Sequence, residues 1–281
     1  MNKLKNLGGI YVKRKVCFLF SIVVLLFAMS VNVLASPAPA DVQYFSNGSH
    51  QVTVKLLTGP MNSYTMYYPS DLTASSNTYP VITWGNGTGS ATVLYDTLLR
   101  HFASHGFVVI ASNSTMTGDG LSILKGAEWL ISENSRSQST FYGKIDTDNI
   151  GAAGHSQGGG GAIMAGKNKA IKCTAPIAAM PVSMIGVKTP MFLTTGSLDT
   201  ICSTTLVRTM IYTPSTVPTI LAELKWANHT AVMYNPTNIK GYVVAWFYAQ
   251  LKGDENAKGI FYGNNYRLES DSNWNVFRKN F

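Results

Sequence analysis

The pentapeptide Gly154-His155-Ser156-Gln157-Gly158 constrains this chain more than any other feature. Before it lies an apolar run, 150–153, that reads as a buried strand; after it a helical pattern opens near Gly161-Ala162-Ile163-Met164. In that setting G-x-S-x-G predicts a sharp strand-to-helix turn that lifts a serine hydroxyl above a sheet. Such a turn strains the backbone at Ser156. Side chains at Gly154 and Gly158 would collide with the neighbouring strand and helix, and four consecutive glycines, 158–161, suit that crowding. The Gln157 amide falls at the start of the helix, where developing negative charge is favoured.

The rest of the chain supplies a fold for this turn. Apolar runs at 81–84, 107–111, 173–178, 191–195 and 219–224 read as further buried strands, the last of these closing the sheet. Helical spacing falls between them. Leu94, Leu98, Leu99 and Phe102 share one face, with Gly106 as the stop; 121–131 repeats the spacing, and 243–251 reads as a closing helix. Ahead of these, 51–56 and 64–68 alternate and predict two half-exposed antiparallel strands. The order predicts an α/β fold of the α/β-hydrolase type: a mainly parallel central sheet with helices on both faces, one domain over 45–281, and no large lid.

Charge argues against nucleic acid as a partner. The formal excess is +8, but Lys3, Lys5, Lys13, Arg14 and Lys15 supply five of these positives and residues 1–35 contain no acid. The remaining excess of three forms no basic stripe. The leader itself, basic to Lys15 and apolar over 16–34, predicts a signal peptide over 1–35, cut after Val33-Leu34-Ala35, with an uncleaved anchor as the alternative. The domain is exported either way, behind a short tether at 36–44. With Cys17 in the leader, only Cys173 and Cys202 remain; export permits a disulfide, and sequence leaves their pairing open. No Cys/His spacing suits a metal, and no cofactor is implied.

Elimination extends the serine into a constellation. A serine hydroxyl needs a base, and in this fold the order along the chain is serine, acid, histidine. Of the five histidines (His50, His101, His105, His155 and His229), only His229 follows Ser156. His155 reads as packing beside the turn, and His101 and His105 as surface or packing residues of an outer helix. Between Ser156 and His229 stand two carboxylates, Asp199 and Glu223. Asp199 follows a strand at its carboxyl end, where sites collect in open α/β sheets. Glu223 lies within a strand and meets the sheet surface. Ser156, Asp199 and His229 are therefore the expected nucleophile, acid and base. Gly85-Asn86-Gly87-Thr88-Gly89, after strand 81–84, lacks the Lys of a phosphate loop. It is expected to give a second oxyanion amide, from Thr88, beside that of Gln157.

These residues, with Ser104-His105-Gly106-Phe107-Val108-Val109, Gly196-Ser197-Leu198-Asp199-Thr200, Asn228-His229, Tyr242-Val243-Val244-Ala245-Trp246-Phe247 and Phe261-Tyr262-Gly263, resemble the bacterial cutinase and polyester-hydrolase group and its dienelactone-hydrolase-like relatives. The resemblance spans roughly 45–265. It implies a monomeric serine carboxylic-ester hydrolase with an open cleft, no cofactor, and an ester or polyester as substrate. It also implies Thr88 and Gln157 as oxyanion donors, and Met180 and Gly87 as cleft residues. Three positions depart from the group. Gln157 stands where Met is usual, Thr88 where an aromatic residue is common, and Met180 where a Trp forms one wall. A small-ester or lipid esterase, an amide hydrolase on the same residues, and a secreted binding protein on this scaffold are the alternatives.

Overall fold

The computed structural model describes residues 43–234, 236–264 and 266–281. Nine strands form one sheet: β1 (Val52–Thr58), β2 (Tyr64–Pro69), β3 (Tyr79–Gly85), β4 (Val108–Ser112), β5 (Ile145–His155), β6 (Ile171–Ile177), β7 (Met191–Gly196), β8 (Thr219–Leu224) and β9 (Trp274–Lys279). Their order is β1-β2-β4-β3-β5-β6-β7-β8-β9. From β4 to β8 every pairing is parallel; β1, β2 and β9 are antiparallel additions at the two edges. The helices are α1 (Asp96–Ser104), α2 (Leu121–Asn134), α3 (Gln157–Ala165), α4 (Thr204–Val207), α5 (Thr237–Leu251), α6 (Glu255–Phe261) and α7 (Arg267–Ser270).

Successive residues of a strand face opposite sides, and both sides of this sheet are covered. Ile82, Trp84, Val109 and Ala153 pack with Leu98, Leu99 and Phe102 of α1 and Val243 and Phe247 of α5. Their neighbours Val81, Val108, Ile110 and Ala152 pack with Ile123, Ala127 and Leu130 of α2 and Ala162 of α3. Double coverage explains why the central strands read as unbroken apolar runs rather than alternating ones. β1 is half exposed as its alternation predicts. β2 is almost wholly buried, because it lies inside β1 with β4 on its other flank.

Two expectations need correction. The strand at 219–224 does not close the sheet: β9 pairs antiparallel along it, Leu224 opposite Trp274 and Thr219 opposite Lys279. β9 escapes a sequence reading because only Trp274 of its six residues is fully buried, so its alternation is faint. The tether does not extend to residue 44. Tyr44 is 2% exposed; its hydroxyl donates to Asp254 and its carbonyl accepts from His101 Nε2. Of surface and packing, His101 and His105 take the second role: both are buried, bonded to the carbonyls of Tyr44 and Ser46. The leader expected over 1–35 lies outside the described residues, among which no helix is long and apolar enough to cross a membrane.

Candidate active site

The carboxyl ends of β3, β5, β7 and β8 open on one edge of the sheet, and each sends out a loop bearing an expected site residue. Ser156 lies between β5 and α3 with φ 55° and ψ −118°. A left-handed φ at a non-glycine residue costs on the order of 1–3 kcal/mol and persists only where surroundings enforce it. Here they do. The Ser156 amide donates to the Ile177 carbonyl at 2.9 Å, and its carbonyl accepts from Met180 N at 2.9 Å and Gly160 N at 3.1 Å. The expected crowding is met. A Cβ on Gly154 would stand 2.2 Å from the Gly158 carbonyl oxygen, and one on Gly158 would stand 2.1 Å from that of Gly85.

Asp199 and His229 come together from separate loops. His229 Nδ1 donates to Asp199 Oδ2 at 2.8 Å, and Asp199 Oδ1 accepts the amides of Ile201 and Cys202, each at 2.8 Å. Burial works to raise the Asp199 pKa. The hydrogen bond and charge of His229, with the two amides, outweigh it and hold the carboxyl below its usual value. Asp199 is thus an anion that fixes which His229 nitrogen carries the proton. Glu223 remains within β8, its carboxylate accepting from the Asn275 side chain of β9.

The Cys202 thiol neighbours the Ser156 hydroxyl, which lowers the thiol pKa slightly against larger opposing effects. Among the described hydrogen bonds none joins Ser156 to His229; Asp199 holds the Cys202 amide through Oδ1 and the His229 ring through Oδ2. Burial and the Asp199 charge push the thiol up to about 12, so it stays protonated and cannot act as a nucleophile. Cys202 and Cys173 are both free and buried, in different core clusters, so they form no disulfide. Cys202 Sγ instead lies 3.4 Å from Met180 Sδ.

The β3–α1 loop is anchored by Asn86. Its fully buried side chain accepts from Trp84 Nε1 and donates to Thr92 Oγ1 and the carbonyls of Ser112 and Ser114. The Gly87 amide donates to Tyr95 Oη at 3.1 Å and the Gly89 amide to the Thr115 carbonyl. Between them the exposed Thr88 amide has no partner among the described hydrogen bonds, nor does that of Gln157 at the first turn of α3. Gln157 follows the serine directly, and a Cβ on Gly87, the residue before Thr88, would lie 3.4 Å from Ser156 Cβ. Gly87 itself is buried, and the solvent side of this loop is Thr88 and Gly89.

Met180 stands 41% exposed directly beside Ser156. The Gln157 side chain turns outward, accepting from Thr117 N at 2.9 Å with its amide nitrogen 3.7 Å from Met116 Sδ. Sequence reasoning passed over Asn86, Cys202, Tyr95 and Trp226. The last is 66% exposed at φ 64°, its amide tied to Ser197 Oγ. Only Asn86 carried a signal, a lone polar residue between the glycines of a loop that follows a buried strand.

The PETase family model, described as PET hydrolase-like, matches residues 30–278. Cutinase est2 of Thermobifida alba is 30% identical over 192 residues, covering 65% of this chain and 62% of that protein. Cutinase of Thermobifida fusca (strain YX) is 29% identical over 191 residues, with 65% and 62% covered. Bis(hydroxyethyl) terephthalate hydrolase of Streptomyces coelicolor is 27% identical over 192 residues, with 65% and 60% covered. The chain thus spans about three-fifths of the length of these relatives.

Proposed function

This chain belongs to the PET hydrolase-like family, and from that premise we propose that it hydrolyses carboxylic esters through an acyl-enzyme on Ser156. The observation that carries the reading is the Asp199–His229 pair at 2.8 Å, set by separate loops at the same sheet edge as a serine held in a strained turn. Asp199 keeps the proton on His229 Nδ1, which leaves Nε2 as the base. The Ser156 hydroxyl turns to His229 Nε2 and gives up its proton as Oγ attacks the ester carbonyl. The oxyanion accepts hydrogen bonds from the Thr88 and Gln157 amides, each worth about 3 kcal/mol in such sites. As the C–O bond breaks, His229 protonates the leaving alcohol. It then takes a proton from water as the water oxygen attacks the acyl carbonyl, and hands that proton to Ser156 Oγ as the acyl–Oγ bond breaks, which releases the acid and restores Ser156.

Relatives bear names that point to cutin and to bis(hydroxyethyl) terephthalate, which favours an ester or polyester as substrate here. The chain is proposed to act as an exported monomer. A second reading, small soluble or lipid esters, is favoured by the cleft itself. Thr88, Gln157 and Met180 offer a hydroxyl, a carboxamide and a thioether where aromatic polymer would be gripped by rings.

The test is hydrolysis of a p-nitrophenyl ester series from acetate to palmitate, and of polyester film, beside Ser156→Ala. The parent is expected to be active, and the variant to lose roughly 10⁶-fold in kcat, as removal of such a nucleophile does. Release from film selects the polyesterase reading; a preference for short esters selects the second. A folded parent without activity, or an active Ser156→Ala, overturns both.

A further inference from the structure

His155 occupies the variable position of the pentapeptide, and nothing in the acyl-enzyme chemistry uses it. It is 1% exposed, yet both ring nitrogens are engaged. Nε2 lies 2.8 Å from the backbone carbonyl of His229, and Nδ1 lies 2.9 Å from Tyr95 Oη. A carbonyl only accepts, so Nε2 carries the hydrogen. Burial, reinforced by the neighbouring His229, pushes the His155 pKa down to about 3 and keeps the ring neutral. Nδ1 is then an acceptor, and the Tyr95 hydroxyl must donate to it. That hydroxyl in turn accepts from the Gly87 amide at 3.1 Å. The directions agree along the whole chain: Gly87 N–H to Tyr95 O–H to His155, and His155 N–H to the His229 carbonyl.

The two ends of this chain are the two loops that must keep register with Ser156. One end fixes the residue before Thr88, and with it the direction of the Thr88 amide. The other fixes the backbone of His229, whose ring lies 4.7 Å from that of His155. Crowding shows how closely the pieces are fitted. A Cβ on Gly87 would fall 3.0 Å from His155 Nδ1, 3.1 Å from Tyr95 Oη and 3.4 Å from Ser156 Cβ. We propose that Tyr95 and His155 are positioning residues, a buried hydrogen-bonded strut that holds the Thr88 amide and the His229 imidazole in register around Ser156. This rests on the acyl-enzyme reading above.

The strut makes no contact with bulk solvent, so its loss cannot be replaced by surface water without rearrangement. It should act on the chemical step rather than on substrate capture, because it touches the groups that move protons and hold the oxyanion. Its two members should also behave as one unit.

The experiment compares the full chain with His155→Leu, His155→Gln, Tyr95→Phe, the double variant Tyr95→Phe/His155→Leu, and Ser156→Ala. It measures kcat and KM on p-nitrophenyl butyrate, thermal midpoint, and the proton NMR signal of the His229 Nδ1–H bonded to Asp199. His155→Leu is expected to lower kcat 30- to 100-fold with KM within twofold, and to broaden the His229 signal. Tyr95→Phe should lower kcat about tenfold. His155→Gln, whose carboxamide can donate to one partner and accept from the other, should return kcat to within fivefold of the parent. The double variant should be no slower than His155→Leu. The proposal is overturned if folded His155→Leu keeps both its kcat and its His229 signal, if Gln rescues no better than Leu, or if the two losses multiply. An active Ser156→Ala would instead remove the acyl-enzyme reading, while the NMR signal still reports whether the strut holds His229.

Discussion

The turn at Ser156 and the loop bearing His229 lie side by side, yet they are held by different means. The turn is fixed by backbone alone: three main-chain hydrogen bonds at Ser156, and glycines so close that carbonyl oxygens fill the space of their missing Cβ atoms. The His229 loop is fixed by distant partners. Trp226 N donates to Ser197 Oγ, the His229 carbonyl accepts from His155, Tyr234 N donates to the Leu94 carbonyl, and His229 itself is bonded to Asp199. Close packing of backbone against backbone has no slack; a loop hung from side chains can lose an exposed support, which water replaces, and keep its place, but not a buried one such as His155. The same edge of the sheet therefore combines a rigid nucleophile with a base that can shift as protons move.

Gly158→Ala breaks the rigid side of this comparison and should have the largest effect on the fold. The new Cβ would meet the Gly85 oxygen at 2.1 Å and the Asn86 oxygen at 2.6 Å. Neither is the end of a flexible side chain, so β3 and α3 must part. Overpacking of this kind costs typically 1–3 kcal/mol and more where backbone must move. A fall of about 3 kcal/mol or more in chemical denaturation, together with loss of esterase activity, is expected. A variant as stable and active as the parent would show that the turn is not held by crowding.

The contrast also accounts for what sequence alone could convey. The turn is legible because its constraint is local: glycines are needed at fixed offsets from one serine, and a strand and helix flank them. The parallel strands are legible because burial on both faces leaves continuous apolar runs. Asp199 and His229 were reached by elimination among few candidates, which works only because charged residues make up 13% of the chain. Tyr95, Asn86, Cys202 and the roles of His155 were not legible. Each acts at least in part through distant partners, up to 74 positions away, and no spacing rule encodes such contacts. β9 was missed for a related reason: it pairs at an edge, where one face suffices and the apolar pattern is weak.

Titration sharpens the comparison, since the turn's backbone contacts carry no proton while the side-chain supports do. His155 and His101 are both pushed down to about 3, by burial first and then by His229 and His105 respectively. His155 faces His229, Asp199 and Tyr95; His101 faces His105, Lys240 and the carbonyl of Tyr44. Unfolded, each would titrate near 6.5. Between about 6.5 and 3 the unfolded chain binds more protons, so stability is greatest above this window and falls as pH drops through it. Asp199, held below its ordinary value, adds a further loss only as pH falls past the usual carboxyl range. The thermal midpoint should decline from pH 7 to pH 4 in the parent, and less steeply in His155→Gln. Equal slopes would mean that His155 is not neutral in the folded chain.

Ser197→Ala tests the flexible side by the smallest step. Ser197 Oγ accepts the Trp226 amide at 2.8 Å, and Trp226 is held at φ 64°, a conformation that a bulky residue adopts only under constraint. The Ser197 amide keeps its own bond to the Leu224 carbonyl and the Leu198 amide keeps its bond to Ala227, so the substitution removes one support of several. Because Trp226 is exposed, water can take up its freed amide, and the loss should be near the lower end of the 0.5–1.5 kcal/mol typical of a single hydrogen bond. Activity should fall no more than a few fold, through a small rise in the freedom of the His229 loop, with Ser156 still labelled by a fluorophosphonate. A loss as large as that expected from Gly158→Ala would mean that the loop has no redundancy, and that base and nucleophile are held with equal rigidity after all.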